Sequence, residues 1–164
     1  MRSDQRTPRR VSRVVLMCGP AGAGKSTVAR RLEEDGMVRL STDQVAWSRG
    51  IRSMPLAPEV REEIETELRH RLVELVAAGT DVVLDRSFWS RSSRAEYRQL
   101  LRPLGIEPET IYLATPRDVA LRRMRDRALA HGDDFRLSED RAAEYFDHFE
   151  PPTADEGPLS VVHP

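Results

Sequence analysis

The segment Gly19-Pro20-Ala21-Gly22-Ala23-Gly24-Lys25-Ser26 constrains this chain more than any other. It meets the pattern G-x-x-x-x-G-K-[ST] at every fixed position. Before it stands Val14-Val15-Leu16-Met17-Cys18, a continuous apolar run of the kind shown by a strand buried on both faces. After it, Val28, Ala29 and Leu32 sit at helical spacing between Ser26 and Glu34, and Gly36 suits the helix stop. Strand, glycine turn and helix in that order build an anion cradle. The glycines let backbone N–H groups turn inward beside the positive end of the helix. Lys25 then offers a compact ammonium to β- and γ-phosphates, and the Ser26 hydroxyl suits Mg²⁺. ATP with Mg²⁺ is the expected ligand, held by Gly19, Ala21, Gly22, Ala23, Gly24, Lys25, Ser26 and Thr27.

Composition sharpens this reading. Of 26 Lys and Arg residues, Lys25 is the single lysine, so it survives a strong arginine bias at the position where a guanidinium fits least well. Asparagine is absent, which removes the Asn-Lys-x-Asp loop that reads guanine. A length of 164 residues suits one domain and leaves no room for the helical lid domain of a ring-forming ATPase. Cys18 stands alone, excluding an intramolecular disulfide, and is read as a packed small apolar residue. The four histidines fit no metal spacing. No apolar run is long enough for a membrane span or a signal peptide, so the expected compartment is the cytoplasm.

Along the chain, apolar runs alternate with amphipathic helices. Residues 1–12 read as a flexible basic arm, and 13–164 as one domain. Strands are expected at Val14–Cys18, Met37–Leu40, Asp81–Leu84, Thr110–Ala114 and Leu159–Val162. Helices are expected over Ser26–Glu34, Val60–Val76, Arg91–Leu104, Pro116–Ala130 and Ser138–Phe149, with Gln44–Pro58 irregular. This alternation implies an α/β fold with a parallel sheet between helical layers.

In such a sheet, ligands gather at the carboxyl ends of the strands. Asp43 and Asp85 both follow apolar runs and are expected there. Val82-Val83-Leu84-Asp85 has the form of a Walker B strand, which makes Asp85 a metal partner with Ser26 and leaves Asp43 as the base for an acceptor hydroxyl. The residues alone also permit the reverse assignment. Phosphoryl transfer spreads negative charge, so arginines form the other half of the chemistry. Arg123 and Arg127 share one helical face, and Arg86, Arg91 and Arg94 form a second group.

These features resemble a family of small P-loop kinases that includes chloramphenicol phosphotransferase, the zeta toxins, gluconate kinase and the kinase half of phage polynucleotide kinase. The matching residues are Gly19 to Thr27, Ser41-Thr42-Asp43, Val82 to Asp85, Arg123-x-x-x-Arg127, and Phe149-Glu150-Pro151-Pro152 with Glu156. The stretch from Leu84 to Arg91 with Arg94 is similar to bacterial ATP-binding members. The resemblance implies a nucleotide-kinase-like three-layer α/β/α fold with five parallel strands in the order 2-3-1-4-5. It also implies a short helical lid, placed at about residues 123–140. Asp43 resembles the general base, and Arg123 and Arg127 resemble lid arginines that stack on adenine and clamp phosphates. Two positions depart from the pattern. Ala46 stands where several relatives carry an arginine, with Arg49 or Arg52 as substitutes, and Arg86 stands where many have a small residue.

The acceptor side is expected to involve Asp43, Trp47, Arg52, Arg86 and Arg91, with Arg49, Met54, Phe88 and Trp89 nearby. Aromatic faces and arginines together can stack a ring and pair an anionic group. The leading expectation is transfer of the ATP γ-phosphate to a hydroxyl of an antibiotic, sugar or nucleoside. Against it stand a polynucleotide 5′-hydroxyl kinase and a non-catalytic or toxin-like nucleotide-binding module. A net charge of −1 gives no field for nucleic acid or membrane. The arm residues Arg2, Arg6, Arg9, Arg10 and Arg13 are the one feature suited to nucleic acid phosphates.

Overall fold

A computed structural model describes residues 11–20, 23–52, 56–127, 144 and 146–163. Five strands run β1 (Val14–Cys18), β2 (Val38–Ser41), β3 (Val82–Asp85), β4 (Glu109–Leu113) and β5 (Leu159–Val162). Their order in the sheet is β2-β3-β1-β4-β5, with every neighbouring pair parallel. Among the described residues, the helices with defined bounds are α1 (Lys25–Glu34), α2 (Thr42–Ser48), α3 (Pro58–Ala77), α4 (Arg91–Leu101) and α5 (Arg117–Arg127).

Strand periodicity sorts the core into two layers. Val14, Leu16 and Cys18 of β1 join Leu40, Val82 and Leu84 against Ile64, Leu68 and Leu72 of α3 and Tyr97 and Leu101 of α4. Val15 and Met17 point the other way, packing with Val83 and Leu113 against Ala29 of α1. All five β1 residues are buried, as a strand covered on both faces must be. β5, at the edge, leaves Val161 and Val162 exposed.

Three expectations change. The segment Gln44–Pro58 is not irregular throughout, because α2 covers Thr42–Ser48. Ser41 Oγ accepts from Gln44 N at 3.2 Å, and Asp43 in the first turn favours the positive helix end. A seven-residue helix has too few apolar repeats to stand out as periodicity. Ser12, expected in the arm, instead packs against the domain: it is buried and donates its hydroxyl to Val76 O at 3.3 Å. Arg13 is likewise engaged, its guanidinium with Glu109 and its N–H with Asp81 at 2.8 Å, so it does not belong to a basic arm. The helix expected to reach Leu104 ends at Leu101 and passes into a 3-10 turn at Arg102–Leu104, where Pro103 removes a donor. Residues 1–10, Met54, the greater part of the expected lid and the start of the helix from Ser138 lie outside the described residues.

Candidate active site

The P-loop is shaped by two glycines with different tasks. At Gly19 a Cβ would lie 3.3 Å from Leu113 O and 3.2 Å from the Ala23 Cβ, so a side chain at the loop entry would crowd both. Gly19 N–H donates to Ser87 O at 3.3 Å, tying the loop to the turn after β3. Gly24, with φ +99, is the N-cap of α1 in the left-handed region that other residues enter only at a cost. No acidic residue occupies the first turn of α1, leaving its positive end uncompensated.

Lys25 begins α1 and folds back over the loop, donating from Nζ to Gly19 O at 2.8 Å and Pro20 O at 2.9 Å. The ammonium is thus held on the carbonyls of its own loop. Ser26 and Thr27 follow on the same helical turn. Ala23 O accepts from Thr115 Oγ1 at 2.9 Å and from the Arg123 guanidinium at 3.3 Å. Arg123, on α5, also lies 3.4 Å from where a Gly24 Cβ would be. The fold therefore brings Arg123 to the loop from 100 residues away in sequence. Ala21, Gly22 and the side chain of Arg127 lie outside the described residues.

Asp85 ends β3 beside β1, one residue past the Leu16–Leu84 register pair. Its carboxylate is not bare. Arg39 NH1 of β2 donates to Asp85 Oδ2 at 2.7 Å, and both side chains are nearly sealed, at 6% and 5% exposure. Sequence reasoning missed Arg39, although a lone charge inside the apolar run Met37–Leu40 was a visible signal. Asp43 is exposed in the first turn of α2, directly beyond the end of β2 and at the same carboxyl end of the parallel sheet. Thr115 was also missed, since it belongs to no motif, and so was the part played by Ser87, since a backbone carbonyl leaves no side-chain signal.

The expected acceptor residues divide into several groups. The Arg52 guanidinium lies 3.7 Å from the centroid of the Trp47 ring, and its NH1 donates to Trp47 O at 2.7 Å. Arg49 pairs with Glu63 and Glu67 of α3, at 3.1 and 2.7 Å. Ala46 is fully buried in the core, so an arginine at that position has no space. Arg86 reaches Glu65 at 2.5 Å and lies over the Phe88 and Tyr97 rings. Arg91 turns to the surface and meets Asp155 at 2.6 Å.

Phe88 is a correction to the expected lining. It is fully buried in the core, edge-on to Tyr97 at 5.1 Å, and its φ of +44 is a rare conformation for an aromatic residue. Trp89 is 42% exposed, and its carbonyl accepts from Glu150 N at 2.8 Å.

Behind this turn, Arg94 is completely buried and donates to Phe88 O at 2.7 Å while pairing with Glu156. Burial alone would raise the Glu156 carboxyl, but Arg94 and the Thr153 N–H outweigh it and bring its pKa down to about 2. Burial also pushes the Cys18 thiol up to about 11, against the opposing charges of Arg94 and Lys25. A buried, protonated Cys18 behaves as the apolar residue its position suggests.

The AAA domain family matches residues 14–152. The chain belongs to this family. It has the P-loop kinase-like α/β fold, and solved structures similar to it agree in architecture. A gluconokinase from Sinorhizobium meliloti 1021 aligns at TM-score 0.65 and 22% identity, over 94% of this chain and 84% of that one. The Mycobacterium tuberculosis APS kinase CysC, in complex with AMPPNP and APS, gives 0.65 and 22%, over 94% and 90%. A chain of the Pnkp1/Rnl/Hen1 RNA repair complex gives 0.75 and 19%, over 89% of this chain but 46% of that one. The AAA domain described here thus spans less than half of that RNA repair chain. A search of curated proteins finds no match. Among the described residues, no helix is long and apolar enough to cross a membrane.

Proposed function

We propose that this protein is an ATP-dependent phosphotransferase that moves the γ-phosphate to a hydroxyl of a small molecule, such as an antibiotic, sugar or nucleoside, in the cytoplasm. The observation that carries the reading is the P-loop, with the Lys25 ammonium held on its carbonyls, at the same carboxyl end of the sheet as Asp43 and Asp85. Similarity to a gluconokinase and to an APS kinase bound to AMPPNP supports a nucleotide donor and a small acceptor.

In the reaction, the acceptor oxygen bonds to the γ-phosphorus as the bond to the β,γ-bridging oxygen breaks, releasing ADP. Asp43 takes the hydroxyl proton, while Lys25, Arg123 and Arg127 offset the charge that spreads over the transferring group. Trp47, Arg52, Arg86 and Arg91 are the candidates for holding the acceptor. Among the described residues, no three His, Cys, Asp or Glu side chains converge as a cage. A donor set of the Ser26 hydroxyl and the Asp85 carboxylate fits Mg²⁺, which keeps several waters and needs few protein ligands. When bound, Mg²⁺ supplies charge neutralisation at the phosphates.

The test uses γ-labelled ATP and Mg²⁺ with pooled nucleosides, sugars, aminocyclitol and phenicol antibiotics, and 5′-hydroxyl oligonucleotides. Label in a small-molecule pool is the expected result. Label in the oligonucleotides would favour the second reading, a polynucleotide 5′-hydroxyl kinase, which draws support from the similarity to the RNA repair chain. ATP binding with no label in any pool would overturn both in favour of a nucleotide-binding regulatory module.

A further inference from the structure

The Arg39–Asp85 pair is hard to explain as a stabilising device. A buried ion pair gains little over apolar side chains of the same volume, because two charges must leave water. On the face of the sheet that carries Arg39, its nearest neighbours Val83 and Met37 are apolar and pack beneath α1. Val83 is Arg39's own register partner, and Asp85 stands one pleat further along, opposite Ser41. Arg39 therefore reaches forward along the sheet to meet the carboxylate.

It does so at a cost. Arg39 Nε is buried without a hydrogen-bond partner, and Glu33 of α1 stays 3.9 Å from it. The guanidinium has aligned itself to Asp85 rather than to the carboxylate nearer solvent, which is 48% exposed. The contact takes Oδ2 and leaves Oδ1 outside it. This single charge-assisted bond, between two side chains that are both nearly sealed, restricts how the Asp85 carboxylate can turn.

From this geometry we infer that Arg39 is a positioning residue: it holds the Asp85 carboxylate in the orientation in which Oδ1 serves the divalent cation of the nucleotide complex. Partners of this kind orient a ligand without touching the metal, and their loss typically weakens metal affinity about 10–100-fold. The inference rests on the assignment of Asp85 to the metal in the proposed function.

The test measures Mn²⁺ binding to the ADP-loaded protein from the free-ion spin resonance signal, so it needs no turnover. Arg39→Met should raise the Mn²⁺ dissociation constant about 10–100-fold. ADP affinity measured in EDTA should stay at the wild-type value. Arg39→Lys should recover part of the loss. In an Asp85→Asn background, Arg39→Met should add nothing. That comparison also removes both charges together, which covers the case in which Arg39→Met alone fails to fold.

Unchanged Mn²⁺ affinity in folded Arg39→Met, with Asp85→Asn impaired, would overturn the positioning role and leave the Asp85 assignment standing. So would a full further loss from Arg39→Met in the Asp85→Asn background. Unchanged affinity in Asp85→Asn itself would remove the assignment of Asp85, and the role of Arg39 with it.

Discussion

Arg94 and Glu156, 62 residues apart in the chain, form a buried bidentate ion pair, Nε to Oε1 at 2.8 Å and NH2 to Oε2 at 3.2 Å. Their side chains are 0% and 2% exposed. Arg98 adds a second cation at 3.2 Å, and Thr153 N–H donates to Oε2 at 2.9 Å. The third nitrogen of Arg94 holds Phe88 O, one residue from the carbonyl that receives Gly19 N–H. One buried guanidinium thus joins the segment before β5 to the turn that supports the P-loop.

Removing one partner strands the other without water. Arg94→Met is expected to cost about 3–5 kcal/mol of unfolding free energy, read from denaturant titration. The pair also sets an acid limb. With the Glu156 pKa down to about 2 against an ordinary value of 4.5, its contribution is present above 4.5 and is lost as pH falls toward 2. Stability measured across that window should fall in wild type, and the slope should be shallower in Glu156→Gln.

Cys18 should be silent toward thiol reagents. A thiol pushed up to about 11 by burial carries almost no thiolate near pH 8. A disulfide reagent added to the native protein should titrate no thiol, and one equivalent should appear in guanidinium chloride. Fast labelling of the native state would mean that the β1 end opens readily.

Gly24→Ala places a side chain at φ +99, at an expected cost of about 1–2 kcal/mol. The new methyl also meets the Arg123 guanidinium at 3.4 Å. A lower melting temperature and weaker ATP binding are both expected, measured by thermal denaturation and nucleotide titration.

Lys25→Arg keeps the charge but puts a broad planar fork where a compact ammonium rests on two carbonyls. Turnover of ATP should fall by about 10²–10³, with melting temperature near wild type. Equal turnover in this variant would show that charge alone suffices at this position.

Asp43→Asn should retain ATP affinity, since the residue sits on α2 and outside the P-loop. Phosphate transfer should fall about 10²–10⁴-fold once an acceptor is in hand, measured by single-turnover labelling. Transfer at the wild-type rate would remove Asp43 as the base.

Local chemistry was enough for the P-loop, for both bounds of β1 and β5, and for the alternation that makes the sheet parallel. Those features depend on neighbours in sequence: a run of apolar residues, a glycine where the backbone must turn, a helix stripe recurring every three or four positions. The strand order, expected from the resemblance to small kinases, is the order found. Short α2 escaped because seven residues carry too little periodicity. The partner of each charge escaped for a different reason. Arg39 meets Asp85 across 46 residues, Arg86 meets Glu65 across 21 and Arg94 meets Glu156 across 62. An arginine written in sequence has the same reach toward phosphate, substrate or a buried carboxylate. Only the packed sheet and helices decide which of these lies within 3 Å, because burial removes water as the alternative partner and leaves each charge to the one opposite group the fold brings near.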